Sequence, residues 1–252
     1  MKIVVCVKQV AALGDEVEFT ADERDVDPDF VDYALNEWDS YATEEALRLR
    51  EAAGDGEVVV LSVGDEDAEE AMRRALAMGA DRGIRVWSDG LTGADPITIA
   101  RALAEVVRAE APDLVLAGVQ SSDAVQAATG TALAELLGLP RVAVVTKVEP
   151  GDGAATVHRE LEGGLIDVVE VDTPCVLTIQ TGINEPRYAT LRAIKQAEQK
   201  PIEEREPGDL GRPAARVRRM FVPAKGEGAE MMDGDPGEIA RRIKEIVEER
   251  LA

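Results

Sequence analysis

Short apolar runs alternate with longer amphipathic stretches along the first half of the chain. The runs at 3–7, 58–63, 84–87, 114–119 and 142–146 are almost uninterrupted apolar sequence, the signature of strands buried on both faces. Between them, apolar residues recur at helical spacing over about 36–53, 67–78, 95–111 and 123–137. Gly79 and Gly138 close two of these helices and Pro112 follows a third, each a residue that ends a helix for a stereochemical reason. Strand and helix in strict alternation predict an α/β fold: a doubly wound parallel sheet, Rossmann-like, of the kind that binds adenine nucleotides.

From Ala155 the period shortens to two. The segments "ATVHREL" and "LIDVVEVDTPCVLTIQ", parted by Gly163 and Gly164, predict a β-hairpin added to the main sheet. After Ile202 the chain becomes rich in Glu, Pro, Gly and Arg, and its last periodic stretch is an amphipathic helix at 235–251 with Ile239, Ile243, Ile246 and Val247 on one face. A tail this poor in apolar residues builds no core of its own. The expected organisation is therefore one nucleotide-binding α/β domain at 1–202, including a loop at about 184–200, and a C-terminal arm at 203–252 that wraps a partner. No internal repeat changes this outline.

Charge narrows the partners. Fifty acids against 28 bases give a formal charge of −22, which repels phosphate backbones and excludes nucleic-acid binding as the expected role. The apolar opening at 1–7 is halted by Lys8 and Gln9, so it is a strand and not a signal peptide. No apolar run nears the roughly 20 residues of a membrane span, and a cytoplasmic protein, not embedded in a membrane, is expected. Cys6 and Cys175 lie far apart in apolar runs, with no second Cys or His at metal-ligand spacing. Both are expected as reduced, buried thiols, and no metal site is expected.

In an open parallel sheet, ligands bind outside the carboxyl ends of the strands. Candidate segments are Cys6 to Lys8, Val63 with Gly64, and Ala117 to Gln120, the last leading through Ser121, Ser122 and Asp123 into a helix containing Thr129-Gly130-Thr131. Small residues and a hydroxyl-flanked helix start suit a phosphate, and they equally suit simple helix capping and close packing. His158, the lone histidine, falls in an alternating strand pattern. With no nucleophile elbow, phosphate-loop lysine motif or Gly-x-Gly-x-x-Gly after the first strand, catalysis carried by this chain alone is not expected.

The runs "ALAMGADRGI" at 75–84, "RELEGGL" at 159–165, "INEPRYATL" at 183–191 and "EPGDLG" at 206–211 resemble the beta subunit of electron transfer flavoproteins. The resemblance extends from the first strand to about Ile202. It implies a heterodimer with an alpha subunit that holds most of a redox-active FAD. That carrier takes electrons from flavin dehydrogenases, such as the acyl-CoA dehydrogenases of fatty acid oxidation, and passes them to electron transfer flavoprotein-quinone oxidoreductase. It also implies a structural AMP in the beta subunit, or a second FAD there in electron-bifurcating members.

Carried residue by residue, the resemblance places Cys6, Asn36, Val63, Asp123, Thr129 and Gly130 at the AMP pocket, and Leu13 and Trp38 against the flavin ring held by alpha. It makes Glu160 a conformational latch toward an alpha-subunit arginine, and Leu191, with Tyr188 and Ile194, the anchor of a partner-recognition loop. Ala127-Ala128 stand where the family often carries Asn-Gln or Ala-Gln before its Thr-Gly or Val-Gly pair, a departure that bears on the nucleotide's identity. A nucleotide-binding sensor similar to universal stress proteins shares the sheet order, but Ser121 stands where its phosphate loop needs a second glycine.

Overall fold

The computed structural model describes residues 1–14, 17–224, 228–229 and 231–251. Five of its strands form the parallel centre that the apolar runs predict: β1 (Lys2–Cys6), β4 (Glu57–Val63), β5 (Arg82–Val86), β6 (Leu114–Gly118) and β7 (Arg141–Pro150). Among them run α1 (Glu37–Ala53), α2 (Ala68–Met78), α3 (Pro96–Glu110) and α4 (Thr129–Leu137). Four further strands complete a nine-stranded sheet: β8 (Ala154–Glu160), β9 (Ile166–Asp172), β10 (Cys175–Ile179) and β11 (Ile202–Arg205). The order is β11-β5-β4-β1-β6-β10-β7-β8-β9, parallel from β11 to β7 and antiparallel across β7, β8 and β9. A short antiparallel ribbon of β2 (Gln9–Ala12) and β3 (Asp32–Leu35) stands apart.

Alternate residues of each central strand enter opposite cores. Ile3, Val5, Val58, Val60, Leu116 and Leu177 pack with α1 and α2 on one face, whereas Val4, Val59, Leu61, Ile84 and Val115 pack with α3 and α4 on the other. The doubly wound architecture is thus present, with two refinements. The added hairpin is present as β8 and β9, but its second arm ends early: the run at 165–180 breaks at Thr173-Pro174, and Cys175–Ile179 moves into the middle of the sheet between β6 and β7. Its five residues are all buried, as a central parallel strand requires, whereas β9 is mostly exposed. Val144 adopts a left-handed φ of 61°, and around it β7 changes register between its parallel neighbour β10 and its antiparallel neighbour β8.

Local chemistry accounts for the helix ends. Asp95 accepts hydrogen bonds from the amides of Ile97 and Thr98 at 2.9 and 3.3 Å, and Pro96 occupies the first helical position of α3. Gly54 and Gly138 end α1 and α4 in the left-handed conformation.

By internal contacts the chain divides into Met1–Met220 and Phe221–Ala252. In the first unit, the segment after β11 is fastened to α3. The Gly208 amide donates to Glu105, the Arg101 guanidinium donates to the carbonyls of Leu210 and Arg212, and the Ala214 amide donates to Asp95. The second unit contains α6 (Pro236–Leu251), on which Ile243, Val247 and Leu251 are exposed. Among the described residues, no helix is long and apolar enough to cross a membrane, and no cluster of His, Cys, Asp and Glu is arranged to hold a metal ion.

Charged side chains lock the edge of the sheet. Glu110, at the end of α3, accepts from Lys2 of β1 at 2.7 Å, from Arg82 of β5 and from Arg205 of β11 at 3.2 Å. Burial alone would raise the Glu110 carboxyl, but the hydrogen bonds from Arg82 and Lys2 outweigh it and bring the pKa from 4.5 down to about 2. A depressed carboxylate stabilises the fold fully above its ordinary pKa and loses that contribution as pH falls through the folded value. Glu110→Gln is therefore expected to destabilise the protein by about 1–3 kcal/mol in urea unfolding at pH 7. The gap to the parent protein should narrow as pH falls from 4.5 toward 2; a gap independent of pH would contradict this assignment.

Candidate functional site

The chain leaves β1 toward β4 on one side and reaches β6 on the other, so the carboxyl ends of β1 and β6 form the topological switch point. One buried carboxylate spans it. Asp39, in the first turn of α1, accepts from the Lys8 amide at 2.7 Å and from the Gly118 amide at 2.9 Å. Burial pushes its pKa up to about 7 against the pull of these amides, and the same burial, with Asp39 beside it, holds the Cys6 thiol neutral at about 12. Gly118 is glycine for a steric reason: a Cβ there would lie 2.4 Å from the Asp39 carboxylate and 2.6 Å from Trp38.

Asn36 precedes α1 at the N-cap position, but its side chain makes no cap hydrogen bond. Its amide instead reaches across the crevice, Nδ2 donating to the Gln120 carbonyl at 2.8 Å and Oδ1 accepting from the Ser122 amide at 3.2 Å. Asp123 is likewise engaged at long range. Both its oxygens accept from Lys8 Nζ, at 2.7 and 2.8 Å, so it does not begin the helix as the sequence pattern predicts. The helix α4 starts six residues later at Thr129, after a loop in which Val125 and Ala127 take left-handed φ values of 50° and 49°.

The late start has a chemical consequence. Ala128 at the N-cap has no side-chain oxygen to offer, so the first amides of α4 have no side-chain cap. Gly130 brings this turn against the sheet, where a Cβ would stand 2.6 Å from Thr178 Cγ2. Cys6, Asn36, Asp123, Thr129 and Gly130 thus gather around the ends of β1 and β6, and Val63 lies one strand away at the end of β4. The surroundings, uncapped amides flanked by the small side chains of Ala127 and Ala128, fit an anionic group such as a nucleotide phosphate.

Trp38 faces a different partner. Its indole donates to Gln180 Oε1 at 2.9 Å, and Gln180 Nε2 lies 3.5 Å from Glu160, so Trp38 and Glu160 are linked through a residue the sequence pattern did not single out. Leu13 is 47% exposed just beyond β2, and the ribbon register, with Gln9 opposite Leu35 and Ala12 opposite Asp32, places it at the far end from the start of α1. His158 is half-buried in β8 and takes no part in the crevice.

The segment 181–200 forms a second feature. Arg187 grips α1 with paired hydrogen bonds to Glu44 (2.7 and 3.1 Å) and Glu51 (2.7 and 3.2 Å), and Asn184 Nδ2 donates to Glu45 and to the Tyr41 carbonyl. Burial pushes the Glu44 carboxyl up, but Arg187 and Arg48 overcome this and hold it below its ordinary range. Thr190 then caps α5 (Leu191–Ala197) by accepting from the Ala193 amide. Held this way, the segment turns Tyr188 (99% exposed), Leu191 (82%) and Ile194 (44%) outward. Arg192 and Lys195 flank Leu191 along a shallow groove.

Comparison with known proteins identifies the family. The family model described as the electron transfer flavoprotein domain matches residues 27–210. The electron transfer flavoprotein subunit beta of Methylophilus methylotrophus is 50% identical, over 99% of this chain and 98% of its own length. Those of Syntrophomonas wolfei and Bradyrhizobium diazoefficiens are 37% and 39% identical, over 97% and 84% of this chain and 95% and 84% of their own lengths. The chain belongs to the electron transfer flavoprotein family, as a beta subunit.

Proposed function

We propose that this chain pairs with an electron transfer flavoprotein alpha subunit in a cytoplasmic electron carrier. In this heterodimer the chain supplies a nucleotide crevice and the surface that selects electron donors. Its donors are flavin dehydrogenases such as acyl-CoA dehydrogenases, and its acceptor is the membrane electron transfer flavoprotein-quinone oxidoreductase. The observation that carries the proposal is the docking segment, an apolar Leu191 with Tyr188 and Ile194 presented outward on a backbone tied to α1 by Arg187 and Asn184.

Redox chemistry comes from FAD held mainly by alpha, which takes up and returns electrons. The chain itself contributes contacts, not a catalytic acid or base. Trp38 and Leu13 offer apolar surface to the ring, and Glu160 offers a carboxylate to an alpha-subunit arginine. An exposed pair of that kind is worth about 0.2–1 kcal/mol, small enough to release a mobile flavin domain.

In the crevice, AMP is proposed to rest its phosphate on the uncapped first turn of α4 at Thr129 and Gly130, with Cys6, Asn36, Val63 and Asp123 around the rest of the nucleotide. What supports this is the pairing of free amides with small side chains at the switch point. Acid extraction of the purified heterodimer should release one FAD and one AMP per complex. Two FADs would assign the complex to the electron-bifurcating type, and absence of any nucleotide beyond one FAD would overturn the crevice assignment.

Leu191 is expected to act as the docking anchor. Burying a leucine is worth about 1.5–3 kcal/mol, which corresponds to a change of about tenfold to hundredfold in affinity. Leu191→Ala should therefore raise KM for the donor dehydrogenase by that order while thermal stability and flavin content stay at parent values. Unchanged transfer kinetics would remove the anchor role.

A further inference from the structure

The docking segment ends in an exchange of cations between two helices. The Arg73 side chain, on α2, donates through one guanidinium nitrogen to the carbonyls of Ala197 at 2.8 Å and Lys200 at 2.6 Å, at the close of α5. Lys200, just past α5, donates in return to the carbonyls of Leu76 at 2.9 Å and Ala80, at the close of α2. Each helix end thus receives the positive charge that its dipole favours, and each receives it from the other helix.

The exchange matters because α5 cannot hold itself. It has seven residues, of which only Ala197 is buried, and so short a helix is unstable alone in water. At its start it is fixed by Thr190 and by the grip of Asn184 and Arg187 on α1; at its end, the Arg73 and Lys200 exchange is the polar tie to α2. Leu191 lies on the first turn of α5, between these ties.

We propose that Arg73 and Lys200 are positioning residues for partner docking: their reciprocal capping of α5 and α2 presets the direction in which Leu191 meets a dehydrogenase. This rests on the docking role proposed above. A preset loop loses less conformational freedom on binding, so the tie acts on affinity and leaves the electron-transfer step within the docked complex alone.

The test uses the alpha–beta heterodimer with Arg73→Met, Lys200→Met, Arg73→Lys and Leu191→Ala, and an acyl-CoA dehydrogenase as electron donor. Arg73→Met and Lys200→Met should each speed amide hydrogen exchange at 191–200 by about tenfold. They should raise KM for the dehydrogenase by about fivefold, with kcat within about twofold and flavin content unchanged. Arg73→Lys, which keeps a cation at the carbonyls, should recover part of both effects. If the two methionine variants keep parent exchange and KM while Leu191→Ala raises KM, the positioning role is overturned and the docking role stands. If Leu191→Ala also leaves KM unchanged, the docking role fails and the inference fails with it.

Discussion

A single carboxylate on the first turn of α1 sets the geometry on which the crevice depends. Asp39 joins the backbone after β1 to the end of β6 through two amide hydrogen bonds, closing the switch point from beneath. Its burial is unfavourable for a charge, and the two amides only partly offset that cost, so its pKa rises to about 7. Gly118 and the reach of Asn36 across to 120–122 follow from the same arrangement, since both accommodate α1 lying against the end of β6.

The same helix carries the second feature. Beyond Asp39, α1 presents Glu44, Glu45 and Glu51 to the segment at 184–187, so one rigid element positions the crevice at its start and the proposed docking surface along its length. In a chain of net charge −22, these acids are not a solvated surplus. Glu44 has only 3% of its side chain exposed, and its bonds with Arg187 are charge-assisted and paired, the geometry in which an ion pair contributes more than surface pairs do. Rigid support leaves the apolar tip exposed, which suits the transient contact proposed for it.

The parts of this fold legible in the sequence were those decided by nearest neighbours. Central strands showed as apolar runs because both faces are buried, and Asp95-Pro96 marked the start of α3 because the cap and its amides are adjacent in sequence. What escaped was decided across the chain. Asp123 looks like a helix cap until Lys8, 115 residues earlier, takes both its oxygens. Gln180 gained its place from Trp38, 142 residues away, and Arg73 from carbonyls more than a hundred residues on. Pro174 and the change from alternating to continuous apolar sequence at Cys175 were visible signals of the switch from β9 to β10, but a hairpin absorbed them. In "NEPR", Asn184 and Arg187 make a polar grip on α1, a role that depends on acids more than a hundred residues earlier.

The central claim is a division of labour between a crevice that holds a nucleotide and a loop that meets the partner. Hydrogen-exchange mass spectrometry of the alpha–beta heterodimer, with and without its electron-donating dehydrogenase, tests it most directly. The account predicts new protection confined within this chain to about 187–199, with 118–131 unchanged. Protection at 118–131, or none at 187–199, would contradict it.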